Sequence, residues 1–518
     1  MALQKDCNIR NSSRNLVFGL LLKIYQLLVP FIIRTVIIKV LGMEYVGLNS
    51  LFTSVLQVLN IAELGIGFAL VYSMYKPIAE QDPKKICALM QLYKTYYRVI
   101  GLTILCIGFA LTPFLPKLIK GDIPPGINIF VLYFLNLGAT VLSYWLFAFK
   151  NALFQAHQRY DIVSKVTIIT NTIMYLFQIT LLVLMRNYYY YVIMIPVVQI
   201  LNNILIAIQA ERCYPEYKAG GKLEKSEVRK INSSIKDLFY SQLGLVVTTS
   251  VDAIVISAFL GLLPLAIYQN YYYILNALIA FFSIFYQSCR ASIGTNMVSK
   301  SKEENYKDYK LITFVVMGSL AFCASCLMNL YQPFIEIWVG KENMLDGFCV
   351  ALFAVYLCVY EMALMIGVYK DVSGKWHVDR FRPLLTAAAN LVTNIILVQL
   401  IGIYGVLIST ILSFVFINIP WLYKRVFIDV FKKEHKKDYT KYLAKKIVDV
   451  ILIVVISTLI CRIIKISSAE ITLCLNFSIC TLISVSLYCL FNKNDLAFSR
   501  LLGLAKNKIN CSLRRFLL

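Results

Sequence analysis

About fourteen apolar stretches, each roughly 20 residues long, follow one another through this chain from Leu16 to Phe491. An α-helix of that length crosses about 30 Å of hydrocarbon at about 1.5 Å per residue. With 59% hydrophobic residues, a mean hydropathy of +0.70 and only 15% charged residues, the chain cannot fold as a soluble domain around one core. The sequence therefore predicts an all-α polytopic membrane protein.

The predicted spans leave only short connections on one side of the membrane and longer, basic connections on the other. We expect them at 16–40, 46–74, 95–115, 127–149, 162–185, 189–210, 237–259, 264–289, 311–335, 347–369, 383–400, 404–423, 447–463 and 470–491.

Most of the 51 Lys and Arg residues lie in alternate connections. Basic residues near span ends remain cytoplasmic, so the pattern predicts a cell (inner, cytoplasmic) membrane protein with both termini in the cytoplasm. The formal net charge of +23 is then explained by topology and by attraction to anionic membrane lipids. Nucleic acid is not an expected partner.

Enzyme chemistry has no support in the motifs of this chain. Cys323 and Cys326 form a CxxC pair, but they lie in the middle of a span and lack a second pair. No phosphate-binding glycine loop, nucleophile elbow or HExxH motif occurs. We therefore predict no enzyme activity, no catalytic residue, no cofactor and no metal site.

A weak internal repeat suggests two homologous halves. The segment LGMEYVGLN (Leu41–Asn49) follows the first span, and LGLLPLAIY (Leu260–Tyr268) follows the seventh. We predict a six-helix lobe at 1–210, a basic linker at 211–236, a second six-helix lobe at 237–423, and a basic connector, two extra helices and a tail at 424–518. Two parallel pseudo-repeats of this kind would enclose a central cavity.

Charged residues inside spans are the first candidates for function, because a charge at mid-bilayer costs at least about 2.5–3.5 kcal/mol. Arg34 and Asp252 lie at similar predicted depths in the first and seventh spans. Both are expected either to face the cavity, paired or touching substrate, or to have separate local partners in their own halves.

Further polar residues are candidates for a functional role, and each also has an ordinary structural explanation. Glu63 is either a coupling carboxylate or a structural partner of a basic residue or helix end. Lys23 either faces the cavity or extends to the interface, and Glu361 is a second candidate for coupling or gating. Tyr272 either anchors its helix at the interface or stacks on a sugar, and Asn270 either bonds between helices or contacts ligand.

Several stretches resemble the Wzx-like oligosaccharide flippases, the polysaccharide biosynthesis proteins of the multidrug/oligosaccharidyl-lipid/polysaccharide exporter superfamily. They are NIAELGIGFAL, YPEYKAGGKL, PFIEIWVG, the run that begins KDLFYSQLGLVVTTSVDAIVISAF, and the run that begins DRFRPLLTAAANLVTNIILVQL. The resemblance extends at least from Asn15 to Lys424. Glu63, Asp252 and Arg380 are the charged positions that match the family pattern.

The resemblance implies a transporter that flips polyprenyl-pyrophosphate-linked oligosaccharide repeat units from the inner to the outer leaflet by alternating access. The product would serve O-antigen, capsule or exopolysaccharide synthesis, and other polysaccharide-assembly proteins would be possible partners. A cation-coupled multidrug antiporter of the same fold is the main alternative. A membrane enzyme of polysaccharide assembly is the weaker one, because the outer loops are too short for it.

Overall fold

The computed structural model describes residues 2–63, 65–374, 379–464 and 468–503, and contains helices and no strand in these ranges. The prediction of an all-α fold is confirmed. The α-helices are α1 (Ala2–Val40), α2 (Met43–Leu59), α3 (Ile66–Ala79), α4 (Pro83–Leu111), α5 (Ile129–Trp145), α6 (Asn151–Ala156), α7 (Tyr160–Met185), α8 (Tyr188–Cys213), α9 (Lys225–Phe259), α10 (Leu262–Ser299), α11 (Lys302–Val339), α12 (Gly347–Val372), α13 (Arg382–Ile401), α14 (Ile403–Ser413), α15 (Ile419–Arg425), α16 (His435–Ile463) and α17 (Ala469–Phe491).

Ten helices in the described ranges are long and apolar enough to cross a membrane, or eleven if one bent pair is counted as a single span. The polytopic fold is thus confirmed, whereas the predicted number of fourteen spans is not. One reason is that the predicted span 46–74 is broken into α2 and α3 by a 3₁₀ turn at Asn60–Glu63. Another is that the last 18 residues of α16 still carry Lys446, Asp449 and Arg462.

The chain divides into two compact units: unit 1 extends to Gln269, and unit 2 begins at Asn270. The boundaries predicted from the sequence, at 211–236 and 424, separate repeated halves of the chain. The division into compact units does not test them, so they stay predictions.

Unit 1 is built from α1 to α9 and the first turns of α10. α7 packs against α1 and α8, α5 packs against α4 and α8, and α2 packs against α9. Short polar side chains begin several of these helices, since each accepts hydrogen bonds from backbone N–H groups that have no partner inside the helix. Asp82 caps α4, Asn128 caps α5 and Asn187 caps α8.

Unit 2 is organised around α11, which packs against α12, α16 and α17. A capping box between Ser301 and Glu304 begins α11. The two predicted extra helices are present as α16 and α17. The buried Lys446 of α16 forms an ion pair with Asp495, four residues beyond the end of α17, with the two charged atoms 2.5 Å apart.

Candidate functional site

Unit 1 contains a cavity of about 480 Å³, and about half of its wall is polar. Such a wall is unusual between apolar helices, where each polar group transferred from water without a partner costs several kcal/mol. The cavity is lined by Glu63, Gly65, Gly67, Phe68, Tyr93, Tyr97, Ser143, Tyr144, Phe147, Ala148, Asn151, Ala152, Gln155, Tyr160, Val163, Thr167, Gln199, Asn202, Asn203 and Ile206.

The first helix break at the cavity lies between α2 and α3 and positions Glu63. The 3₁₀ turn Asn60–Glu63 ends α2, and Gly65 adopts a left-handed conformation with φ of 87° before α3 begins. A β-carbon on Gly65 would lie 2.7 Å from Cβ of Leu238 on α9. Glycine is therefore required here both by the backbone conformation and by the close approach of α9.

The second break lies between α5 and α6 and supplies another part of the cavity wall. α5 ends at Trp145, Phe147 is left-handed with φ of 60°, and the chain bends by 50° into the short helical segment Ala148–Ala156. Irregular backbone at membrane depth is tolerated where it is buried in protein or lines a cavity. Phe147, Asn151 and Gln155 reach the cavity from this segment.

The Glu63 carboxylate is held by phenolic hydroxyl groups. Tyr97 donates a hydrogen bond to Oε1 at 2.8 Å, and Tyr144 donates one to Oε2 at 3.0 Å. The hydroxyl of Tyr93 lies 2.9 Å from that of Tyr97 and extends the network. Within the described ranges, Glu63 forms no ion pair. The hydrogen-bond donors to this carboxyl group are thus neutral phenols.

Side-chain amides cover another part of the wall. Asn203 donates to the carbonyl oxygen of Ser143 at 2.9 Å, and Asn202 accepts from Thr170 at 3.0 Å. The buried Oδ1 atom of Asn151 has no hydrogen-bond partner among the described residues. Because an amide both donates and accepts, this wall can bind a ligand that carries many hydroxyl groups. The tyrosine rings nearby can stack on the apolar face of such a ligand.

An aromatic stack lies just beyond α6. His157 stacks on Tyr214 at 4.4 Å and on Tyr217 at 5.6 Å between ring centroids. Burial lowers the pKa of His157, with Glu216 acting in the opposite direction, and burial raises the pKa of Tyr214 to about 12. The imidazole is consequently favoured in its neutral form.

Of the residues predicted from the sequence, Glu63 lines this cavity. Arg34 and Asp252 both contact the first turns of α10: Arg34 donates to the carbonyl oxygen of Ala266 at 3.4 Å, and Asp252 accepts from Tyr268 at 3.3 Å. Asp252 is only 4% exposed. Lys23 is an exposed residue of α1. The predicted roles of Arg34, Asp252 and Lys23 toward substrate stay predictions.

The remaining candidates belong to unit 2. Asn270 is buried, and Tyr272 packs edge-on against Tyr356 with 6.3 Å between ring centroids. Glu361 on α12 is 0% exposed, and Tyr286 donates to its backbone carbonyl oxygen at 3.1 Å. Arg380, the third position of the family pattern, lies over the ring of Phe381. The positions of these residues in the structure do not test the roles predicted for them, which stay predictions.

Sequence reasoning missed most of the cavity wall. Tyr97, Tyr144, Asn202 and Asn203 lie in or beside predicted spans, but a single neutral polar residue in a span is ordinary. The available signal was the combination of several such residues on neighbouring helices with a carboxylate. The break at Phe147 carries no glycine or proline, so nothing in the local sequence marks it.

Comparisons with known proteins agree with this architecture. The family model described as "Polysaccharide biosynthesis protein" matches residues 12–289. The solved structure of the lipid II flippase MurJ in an inward closed conformation has a TM-score of 0.67 at 12% identity, covering 92% of this chain and 99% of that chain.

Two solved multidrug resistance MATE family transporters of the MOP superfamily also share the fold. The inward-facing one has a TM-score of 0.59 at 13% identity, covering 78% of this chain and 94% of that chain. The outward-facing one has a TM-score of 0.51 at 13% identity, covering 81% and 95%. No curated protein sequence gives a significant match. The predicted superfamily fold is therefore confirmed.

Proposed function

Because this chain belongs to the polysaccharide biosynthesis protein family, we propose that it carries lipid-linked oligosaccharides across the cell membrane, from the inner to the outer leaflet. The substrate class is a polyprenyl diphosphate that bears a short oligosaccharide, the building unit of an O-antigen, capsule or exopolysaccharide. Its head group cannot cross hydrocarbon unaided, since each unpaired hydroxyl group costs about 2–7 kcal/mol and charge costs more.

The observation that carries this proposal is the polar cavity inside unit 1. Its amides, tyrosine hydroxyls and carboxylate offer the hydrogen bonds that sugar hydroxyl groups lose on leaving water. Its volume of about 480 Å³ suits one or two sugar rings rather than a long chain. We expect the head group to pass by alternating access while the polyprenyl tail stays in lipid.

The test uses the full chain reconstituted in liposomes with a fluorescent lipid-linked oligosaccharide, followed by a quencher that reaches only the outer leaflet. Asn151→Leu removes a side-chain amide of the cavity wall and should slow transfer about tenfold, the effect of losing about 1.4 kcal/mol. Asn136→Leu is the matched control, because Asn136 lies on α5 outside the cavity wall and donates locally to Leu132. Equal transfer in both variants, or no transfer by the unmodified chain, would contradict the proposal.

A second candidate function is supported by Glu63, whose carboxylate has no ion pair in the described part of the chain. Such a group can bind a proton, a metal cation or a small organic cation, as a cation-coupled multidrug antiporter requires. This function predicts that the chain exports a small lipophilic cation against an imposed proton or sodium gradient and that Glu63→Gln abolishes export. Oligosaccharide transfer without cation export would exclude it.

A further inference from the structure

Three cations surround one buried carboxylate where α7 begins. Asp161 is 1% exposed, accepts a hydrogen bond from Nε of Arg159 at 3.0 Å and forms an ion pair with Arg14 at 3.1 Å. The ammonium group of Lys165, one turn further along α7, lies 3.8 Å from the same carboxylate. Counting three positive charges and one negative charge, this basic cluster carries a net charge of +2.

A structural role for Asp161 does not account for the whole cluster. One or two cations suffice to stabilise a buried carboxylate, and a third adds repulsion among like charges. In the described ranges, Arg14, Arg159 and Lys165 have no other ion-pair partner. The buried Nε atom of Arg14 has no hydrogen-bond acceptor there either. Two positive charges in excess of the Asp161 carboxylate are therefore available to an anion.

The cluster is held in place and is reachable. Asn15 joins α1 to the start of α7, since it donates to the carbonyl oxygen of Gln158 at 2.7 Å and accepts from the backbone N–H of Asp161 at 2.9 Å. The side chains of Arg14 and Arg159 are each 33% exposed and that of Lys165 is 46% exposed. The positive end of the α7 dipole adds to the same field.

The cluster also adjoins the cavity along the chain. Tyr160, which lines the cavity, lies between Arg159 and Asp161, and Val163, which also lines the cavity, lies two residues before Lys165. A ligand whose sugar occupies the cavity could thus place a neighbouring anionic group at the basic cluster.

We propose that Arg14, Arg159 and Lys165 form a binding site for a phosphate-containing anion, and that this anion is the diphosphate of the lipid-linked substrate. The assignment to substrate rests on the proposed function. A diphosphate carries more than one negative charge, which the net charge of +2 complements, and guanidinium groups bind phosphate oxygens in pairs. The same chemistry would also accept the phosphate of an anionic membrane lipid.

The test measures binding of inorganic pyrophosphate to the full chain in discs of neutral phosphatidylcholine. Lys165→Gln removes the cation that is least engaged with Asp161 and should weaken binding about tenfold, whereas Lys165→Arg should retain it. Asp161→Asn raises the net charge of the cluster and should tighten binding. The control is Lys76→Gln, because Lys76 forms an exposed pair with Glu80 away from the cluster.

The direction in which Asp161→Asn changes the affinity for pyrophosphate separates anion binding from a purely structural role of the cluster. If the cluster only stabilises the fold, this variant lowers the melting temperature and leaves pyrophosphate affinity unchanged, and that result overturns the inference. Should Asp161→Asn fail to fold, unchanged affinity in Lys165→Gln overturns it equally. Tighter binding in the first variant and weaker binding in the second support it.

Competition then identifies the source of the anion and separates this inference from the proposed function. Displacement of pyrophosphate by a polyprenyl diphosphate supports the substrate assignment, whereas displacement by cardiolipin alone overturns that assignment and indicates a membrane-lipid site. Oligosaccharide transfer that is insensitive to Lys165→Gln refutes the role of the cluster in transport while the proposed function stands. Pyrophosphate bound at the cluster without any oligosaccharide transfer refutes the proposed function while the anion site stands.

Discussion

Replacing Tyr144 by phenylalanine tests whether Glu63 is held as a charged group. The hydroxyl group of Tyr144 donates to Oε2 of Glu63 at 3.0 Å and lies 3.3 Å from Oδ1 of Asn60. A hydrogen bond to a charged acceptor contributes about 1.5–3 kcal/mol, against about 0.5–1.5 kcal/mol for a neutral one. We therefore expect Tyr144→Phe to lower the free energy of unfolding by about 2 kcal/mol.

The matched control lies on the same helix. Tyr133 is buried in α5 and donates at 3.0 Å to the carbonyl oxygen of Gly108, a neutral acceptor. Tyr133→Phe should cost about 1 kcal/mol. Both values are measured by denaturant titration of the full chain in mixed micelles, with helicity and tryptophan fluorescence as separate probes.

A double-mutant cycle with Glu63→Gln makes the comparison specific to the carboxylate. Two residues joined by one hydrogen bond show a coupling energy of about 0.5–3 kcal/mol, whereas distant residues are additive within about 0.3–0.5 kcal/mol. Tyr144→Phe should couple to Glu63→Gln, and Tyr133→Phe should not. Equal losses for the two tyrosines, together with additivity in both cycles, would refute the account of Glu63 as a charge stabilised by phenols.

Three further predictions concern the fold around the cavity and in unit 2. Gly65→Ala should destabilise unit 1 by at least about 1–2 kcal/mol, because alanine disfavours a φ of 87° and its Cβ meets Leu238; an unchanged melting temperature would contradict this. Lys446→Met should cost about 3–5 kcal/mol by leaving the Asp495 carboxylate buried without its cation, and adding Asp495→Asn should recover part of the loss in the same unfolding titration. Burial lowers the pKa of His157 in the folded chain, so its contribution to stability is present above the ordinary pKa of about 6.5 and is lost as pH falls through the lowered value. His157→Gln should accordingly flatten the fall in melting temperature between pH 7.5 and pH 5, and an unaltered slope would count against that assignment.

The helical architecture was predictable because it follows from length and polarity. A chain with uninterrupted apolar stretches has to satisfy its backbone inside each segment, and helices do so. Glu63 could also be found, because a carboxylate in NIAELGIGFAL stands out against its apolar neighbours. What the sequence did not reveal is that α2 ends beside it, although Gly65 and Gly67 mark the place where a break is least costly.

The rest of the cavity depends on tertiary packing and was beyond local patterns. Tyr97 and Tyr144 are far apart in sequence, and tyrosine near a span end is explained equally well by anchoring at the interface. They meet only because α4 and α5 pack together. Phe147 adopts a left-handed backbone conformation that phenylalanine rarely takes. The residue type at this position therefore gives no reason to predict a helix break.

The two intramembrane glutamates show how surroundings decide which carboxylate can act on a ligand. Glu361 is completely buried, so a ligand can reach it only if unit 2 rearranges. Glu63 is half-buried, lines the cavity and already has a hydrogen-bond donor at each oxygen. A sugar hydroxyl group can bond to it through the remaining lone pairs, since an ionised carboxylate accepts about four hydrogen bonds. The sequence marked both residues as candidates for coupling, but only Glu63 also as a cavity residue and a match to the family pattern. The geometry likewise makes Glu63 the one to test first in any transport assay.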